Sequence, residues 1–256
     1  MPTLHLLGTG AAVSDPHRTT TMLAVSDDEA DAPSTLVVDC GSDPLQRLRA
    51  AGGTYDDVAG LIVTHAHPDH TSGFPLFMEK LWLAGRERSI PVIGIQSALD
   101  QIQRVWASFS PITVDWDAPE IEFHRVDHVP GATAWDEGPW TVLASPVDHG
   151  DMPNVGLRFE HAPSGTVIAY SCDTAPTDTV VDLADGADVL VHEATGASHN
   201  HSSAEQAAEI AQEAGADRLL LVHLPDGDKS DALAAAREIF PTTELGEENG
   251  RYVFPS

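Results

Sequence analysis

Short apolar runs recur along this chain, and each stops at a polar, chemistry-bearing residue. Gly60-Leu61-Ile62-Val63 leads into Thr64-His65-Ala66-His67-Pro68-Asp69-His70. Trp140 to Ala144 leads through Ser145-Pro146-Val147 to Asp148-His149-Gly150. Gly165 to Tyr170 leads to Ser171-Cys172-Asp173-Thr174, Asp188 to Val191 leads to His192-Glu193-Ala194-Thr195, and Arg218 to Val222 leads to His223. Runs of four to six apolar or β-branched residues read as buried strands. Further strands are predicted at Thr3 to Leu7, Met22 to Val25, Thr35 to Val38, Ile90 to Ile95, Ile121 to Val126 and Arg251 to Phe254. Asp39 follows the third of these. The stretch from His128 to Gly138, rich in Gly and Pro, reads as a loop.

Helical spacing fills the gaps between the strands. Asp43 caps a helix with Pro44 at its first position, and Leu45 and Leu48 give it an apolar side. Gly73 to Leu83 is mostly apolar and reads as loop or helix. Ser97 caps a helix running to about Ala107. Ser202 and Ser203 each have Glu205 or Gln206 three residues on, the pattern of a capping box. Ala207, Ile210, Ala211 and Ala214 then form one stripe, and Gly215 ends it. A last helix spans about Ser230 to Phe240. Strands alternating with helices mean an α/β protein, whose sites lie at strand ends. No internal repeat is visible in the sequence, and no linker is long enough to divide it. We therefore expect one domain over residues 1–256.

The strand ends carry metal-ligand chemistry. His65, His67, Asp69 and His70 fall within six positions, and Pro68 stiffens the turn that presents them. Imidazole and carboxylate are the ligands that a borderline cation such as Zn²⁺ accepts. Downstream strands end in His149, Asp173 and His223, so five imidazoles and two carboxylates can converge. The Gly8-Thr9-Gly10 turn reads as a tight turn. A phosphate-binding loop is the other reading of it, but no helix pattern follows and no lysine is near.

The order His65-x-His67-x-Asp69-His70, His149, Asp173, His223 resembles the metallo-β-lactamase superfamily over nearly the whole chain. That resemblance implies a four-layer αβ/βα sandwich and a dinuclear metal-dependent hydrolase. One ion would take His65, His67 and His149, and the other Asp69, His70 and His223. Asp173 would bridge them. Asp39 would orient a ligand from behind. Zn²⁺ is the favoured metal, with Mn²⁺ or Fe²⁺ also compatible. His192-Glu193-Ala194-Thr195 followed by His201-Ser202-Ser203 is similar to the ribonuclease Z branch. This implies that His201, held by Glu193, protonates the leaving oxygen of a phosphodiester. Asp69, Glu193 and His201 are thus the expected catalytic residues.

Two features depart from that branch. Ribonuclease Z grips tRNA with a long arm inserted between the third ligand motif and the bridging Asp. Here only 23 residues separate His149 from Asp173, enough for a strand pair and a turn. His223 is followed by Leu224-Pro225-Asp226, not by Ser-x-Arg-Tyr. The eleven arginines are scattered, and Lys80 and Lys229 are the only lysines. Phosphate neutralisation dominates nucleic-acid affinity, so tRNA is disfavoured and a small or short phosphodiester is the expected substrate. The competing readings are a tRNA 3′ endonuclease with an unrecognised exosite, an ester, lactone or thioester hydrolase, and a metal-stabilised binding protein. A homodimer is common in the resembled branch.

Composition changes the picture in one respect. Forty acidic residues against thirteen basic ones give a formal net charge of −27. The acids are spread along the chain, with small groups at Asp27-Asp28-Glu29 and Glu247-Glu248. Acidity spread in this way resembles that of proteins from extreme halophiles; an acidic face for a cationic partner is the other reading. No apolar run approaches a membrane span, no leader pattern opens the chain, and Cys40 and Cys172 are its only cysteines. A reducing, cytoplasmic setting is therefore expected. Screening at molar KCl should raise the thermal midpoint substantially over low salt. A midpoint independent of salt would show that the acidity serves a partner.

Overall fold

The computed structural model describes residues 1–109 and 118–255. The first half contains β1 (Pro2–Gly8), β2 (Met22–Asp27), β3 (Thr35–Val38), α1 (Pro44–Ala50), β4 (Val58–Val63), α2 (Pro68–Thr71), α3 (Phe74–Leu83), β5 (Ile90–Gly94), α4 (Gln96–Ala107) and β6 (Ile121–Arg125). The second contains β7 (Ala132–Glu137), β8 (Trp140–Val147), β9 (Asn154–His161), β10 (Val167–Tyr170), α5 (Asp178–Leu183), β11 (Val189–Glu193), α6 (Ala204–Glu213), β12 (Leu219–Val222), α7 (Ser230–Ile239) and β13 (Thr243–Leu245). Strand β14 (Gly250–Val253) returns to the first sheet.

The sheets run β14-β1-β2-β3-β4-β5-β6 and β7-β8-β9-β10-β11-β12-β13. In each, the first three pairings are antiparallel and the last three parallel. The two halves therefore share one topology. The side chains do not repeat, so the sequence hides it. Leu6, Val37 and Leu61 of the first sheet share one core with Val142, Phe159 and Ile168 of the second. Removing each such side chain from water stabilises the fold by about 1.5–3 kcal/mol. Helices α1 and α4 cover the outer face of the first sheet, and α5, α6 and α7 that of the second. The result is the four-layer αβ/βα sandwich. No helix among the described residues is long and apolar enough to cross a membrane.

Local signals explain most boundaries. Asp43 accepts from the Gln46 amide at 3.0 Å, capping α1 as expected. Ser203 forms the reciprocal capping box with Gln206, and Ala207, Ile210 and Ala211 are buried beneath α6. Ser202 is diverted from capping, donating to the Thr174 carbonyl at 2.7 Å. Three expectations need correction. Ser97 does not cap α4, because the helix begins at Gln96, after Ile95. Residues 128–138 are not all loop. Gly131 and Gly138, both at positive φ, are turns that bound β7, a half-exposed edge strand whose weak pattern conceals it. Strand β11 extends through His192 and Glu193 rather than ending before them.

His5 on β1 is 3% exposed, with Nε2 3.0 Å from Ser26 Oγ. Burial, aided by Arg251, pushes its pKa down to about 4. The folded state thus refuses a proton that the unfolded chain takes below the ordinary histidine value of 6.5. Stability from this group is complete above that value and falls as pH drops towards 4, by on the order of 3 kcal/mol. His5→Gln should therefore lose less stability than the parent between about pH 7 and about pH 5 in urea titrations. Equal losses would assign the acid sensitivity elsewhere.

Candidate metal centre

All seven expected ligands meet at one edge of the sandwich. His65, His67, Asp69 and His70 follow β4 on its turn and α2. His149 follows β8, Asp173 follows β10, and His223 follows β12. Parallel register brings β10, β11 and β12 to the same edge. His65 Nε2 lies 3.0 Å from His67 Nδ1, which lies 3.2 Å from His149 Nε2. Beside them, Asp69 Oδ2 is 3.9 Å from His70 Nε2 and 3.5 Å from His223 Nε2. Asp173 Oδ2 stands between the groups, 3.9 Å from His65, 3.5 Å from His70 and 3.3 Å from His223.

The nitrogens on the far sides of these rings settle which lone pairs point inward. His70 Nδ1 donates to Asp39 Oδ2 at 2.7 Å. His149 Nδ1 donates to the Asn200 carbonyl at 2.9 Å. Thr195 Oγ1 donates to the His223 carbonyl, so it accepts from His223 Nδ1 at 2.7 Å. Thr64 Oγ1 donates to Asp39 and so accepts from His65 Nδ1 at 3.1 Å. The second nitrogen of each of these four rings therefore faces the cluster, where an ion would take its lone pair. Burial opposes charge on His70, but Asp173 and Asp39 outweigh it and raise its pKa well above the ordinary imidazole range. Buried His70 Nε2, His223 Nε2 and Asp173 Oδ1 have no hydrogen-bond partner. Such orphaned buried atoms are costly unless something binds them, which fits a metal site. Burial, then His70 nearby, pushes His65 well below the ordinary imidazole range. Burial alone would raise the Asp173 carboxyl, yet His223 and His70 hold it well below the usual carboxylate range.

Cys172 also lies near His65 and His70. Burial pushes its thiol up, and it donates to Thr64 Oγ1 at 3.1 Å, so it remains a protonated filler behind the ligands. His128 turns to the Asn154 carbonyl and His199 packs beside Gly150, so neither joins the cluster. Thr64, Thr195 and the Asn200 carbonyl had no assigned role in the sequence. Threonines and backbone carbonyls carry no metal signature.

His201 lies over the same pocket. Its Nδ1 meets Glu193 Oε1 at 2.7 Å, and its ring stacks 5.6 Å from that of His223. Glu193 is fully buried and also accepts from the amides of Thr174, Thr195 and Ser202. It cannot swing away from His201. Burial opposes charge on His201, but the Glu193 contact outweighs it and raises its pKa. The pocket of about 660 Å³ is walled by Ala11, Ala12, Val13, Pro68, Pro225 and Asp226 around these groups. No arginine or lysine is among its described lining residues.

The Beta-lactamase superfamily domain matches residues 34–224. Ribonuclease Z of Mycobacterium sp. (strain KMS) is 32% identical, covering 95% of this chain and 93% of its own. Human tRNase Z, short form, superposes with a TM-score of 0.79 at 20% identity, covering 99% of this chain and 100% of its own. A diphosphatase of the PhnP family superposes with a TM-score of 0.74 at 20% identity, covering 100% and 98%. The chain belongs to the metallo-β-lactamase superfamily. Within it, the chain is a metal-dependent hydrolase of the ribonuclease Z-like type, with a site for two divalent ions. Elemental analysis should find about two transition-metal ions per chain, both removed by chelator. One ion or none would contradict the two-ion reading.

Proposed function

We propose that the chain hydrolyses small or short phosphodiesters, and that Zn²⁺ is its metal. In this reading His65, His67 and His149 would hold one ion, Asp69, His70 and His223 the other, and Asp173 would serve both. The observation that carries it is His201, fixed by Glu193 at 2.7 Å with a ring nitrogen within 4.8 Å of the ligand atoms of Asp173 and His223. Two divalent ions held there would supply Lewis-acid activation of water and of the phosphoryl group. His201 holds a proton over the pocket. As water attacks phosphorus and the ester P–O bond breaks, that proton passes to the leaving oxygen; the attacking water sheds its own proton to solvent, from which His201 is reprotonated. Glu193 fixes the ring and stabilises its charged form. The mycobacterial relative's name supports phosphodiester chemistry.

The case for a small substrate rests on what surrounds the site. Strands β9 and β10 with one short turn occupy the stretch between His149 and Asp173, leaving no arm there. The alignment with the mycobacterial relative runs over 281 residues, more than the 256 of this chain, so that relative carries inserted residues lacking here. Beyond the expected ligands, the pocket wall carries one acid, Asp226, and no described arginine or lysine with which to neutralise a polyanion.

His201→Ala should retain both metals and slow turnover of poor-leaving-group phosphodiesters by about a hundredfold or more. Nitrophenyl phosphodiesters, whose leaving group needs no proton, should lose much less. Equal losses for both would refute the general-acid role. Efficient 3′ cleavage of precursor tRNA by the parent enzyme would refute the small-substrate reading.

A further inference from the structure

The Gly8-Thr9-Gly10 turn and Thr21 play no part in the chemistry above, yet both are built against His223. His223 is not glycine, but its backbone is left-handed, with φ 52°. That conformation costs an L-residue about 1–2 kcal/mol and persists only where neighbours enforce it. Thr195 anchors the carbonyl and Nδ1 of His223. On the other side, Thr21 Oγ1 accepts from the His223 amide at 3.1 Å. The same hydroxyl donates to the Gly10 carbonyl at 3.0 Å. Thr21 is 1% exposed, so neither bond is shared with solvent.

The next residue is held as well. The Leu224 amide donates to the Thr9 carbonyl, and the Ala11 amide to the Leu224 carbonyl, each at 3.0 Å. The turn thus grips the chain on either side of the His223 ring. It is itself fixed from below. Glu248 accepts from the Thr9 amide at 3.0 Å, Thr9 Oγ1 at 2.9 Å and the Thr19 amide at 3.0 Å. The glycines let this platform close. A Cβ on Gly8 would stand 2.0 Å from the Thr20 carbonyl oxygen, and one on Gly10 2.4 Å from Ser14 Oγ.

We propose that Thr21 is a positioning residue for the second metal ion: its hydroxyl, seated on the Gly8-Thr9-Gly10 platform, locks the left-handed backbone that aims His223. The turn is therefore a ligand support rather than a phosphate loop. This rests on the two-ion reading of the centre. His65 and His149, on the other side of the centre, are held instead by Thr64 and the Asn200 carbonyl. Loss of the Thr21 hydroxyl should therefore separate the two ions.

Zn²⁺ titration of the chelator-stripped full chain by calorimetry tests this. The parent should bind two ions, and failure there would refute the two-ion reading itself. Thr21→Val keeps the shape and removes the hydroxyl. It should weaken one ion about ten- to a hundredfold, the usual scale for losing a ligand's supporting partner, and leave the other unchanged. Thr21→Ser restores the hydroxyl and should bind both as the parent does. If Thr21→Val does not fold, Glu248→Ala, on the outer loop, should weaken the same single ion by loosening the platform. Parental affinity for both ions in the folded Thr21→Val or its Glu248→Ala substitute would overturn the proposal. Equal weakening of both ions, or failure of Thr21→Ser to rescue, would do the same.

Discussion

The Asp39 carboxylate, with no exposure to solvent, is the interaction on which the metal edge depends. A buried charge is tolerated only when fully engaged. Asp39 accepts from the Thr64 amide at 2.9 Å, from Thr64 Oγ1 and from His70 Nδ1. Those bonds tie the end of β3 to the end of β4 and to α2. Through Thr64 they also fix His65. One carboxylate thus aims a ring on each side of the centre. Its own backbone is left-handed, with φ 61°, and Cys172, just after the equivalent strand β10, has φ 53°. The matched halves of the fold bend the chain alike where it leaves the sheet for the site.

The second half answers with a different device. Residues 194–203 join β11 to α6, and this one connection touches every part of the centre. Thr195 supports His223, the Asn200 carbonyl orients His149, and His201 covers the pocket. Glu193, at the end of β11, binds amides at both ends of it. Under the proposed function, metal ligation and proton delivery are therefore mechanically linked. A shift in this connection that displaced His201 would also disturb His149 and His223.

Much of this was legible in the sequence, because periodicity and residue type carried it. Strand β3 was placed to the residue, and α6 could be read from its serine caps and alanine stripe. His and Asp recurring at strand ends drew attention to the edge, and the resemblance of their order to a known superfamily picked out the seven side chains that converge there. Among their supports Asp39 was foreseen, but Thr64, Thr195 and Thr21 were not. Thr21 lies 202 residues from His223, and a threonine at the start of a strand looks like any other. Strand β7 was missed because an edge strand half open to solvent lacks clean alternation. The repeat of topology between halves lives in hydrogen-bond direction, which side chains do not record. The absence of an inserted arm, by contrast, needed only the spacing of His149 and Asp173.

The central claim is that two ions share Asp173 between two separate sets of ligands. Anomalous X-ray diffraction from metal-loaded crystals tests it most directly. The account predicts two peaks about 3.5–4 Å apart, one amid His65, His67 and His149 and the other amid Asp69, His70 and His223. A single peak, or one seated on Cys172 behind His65 and His70, would contradict it.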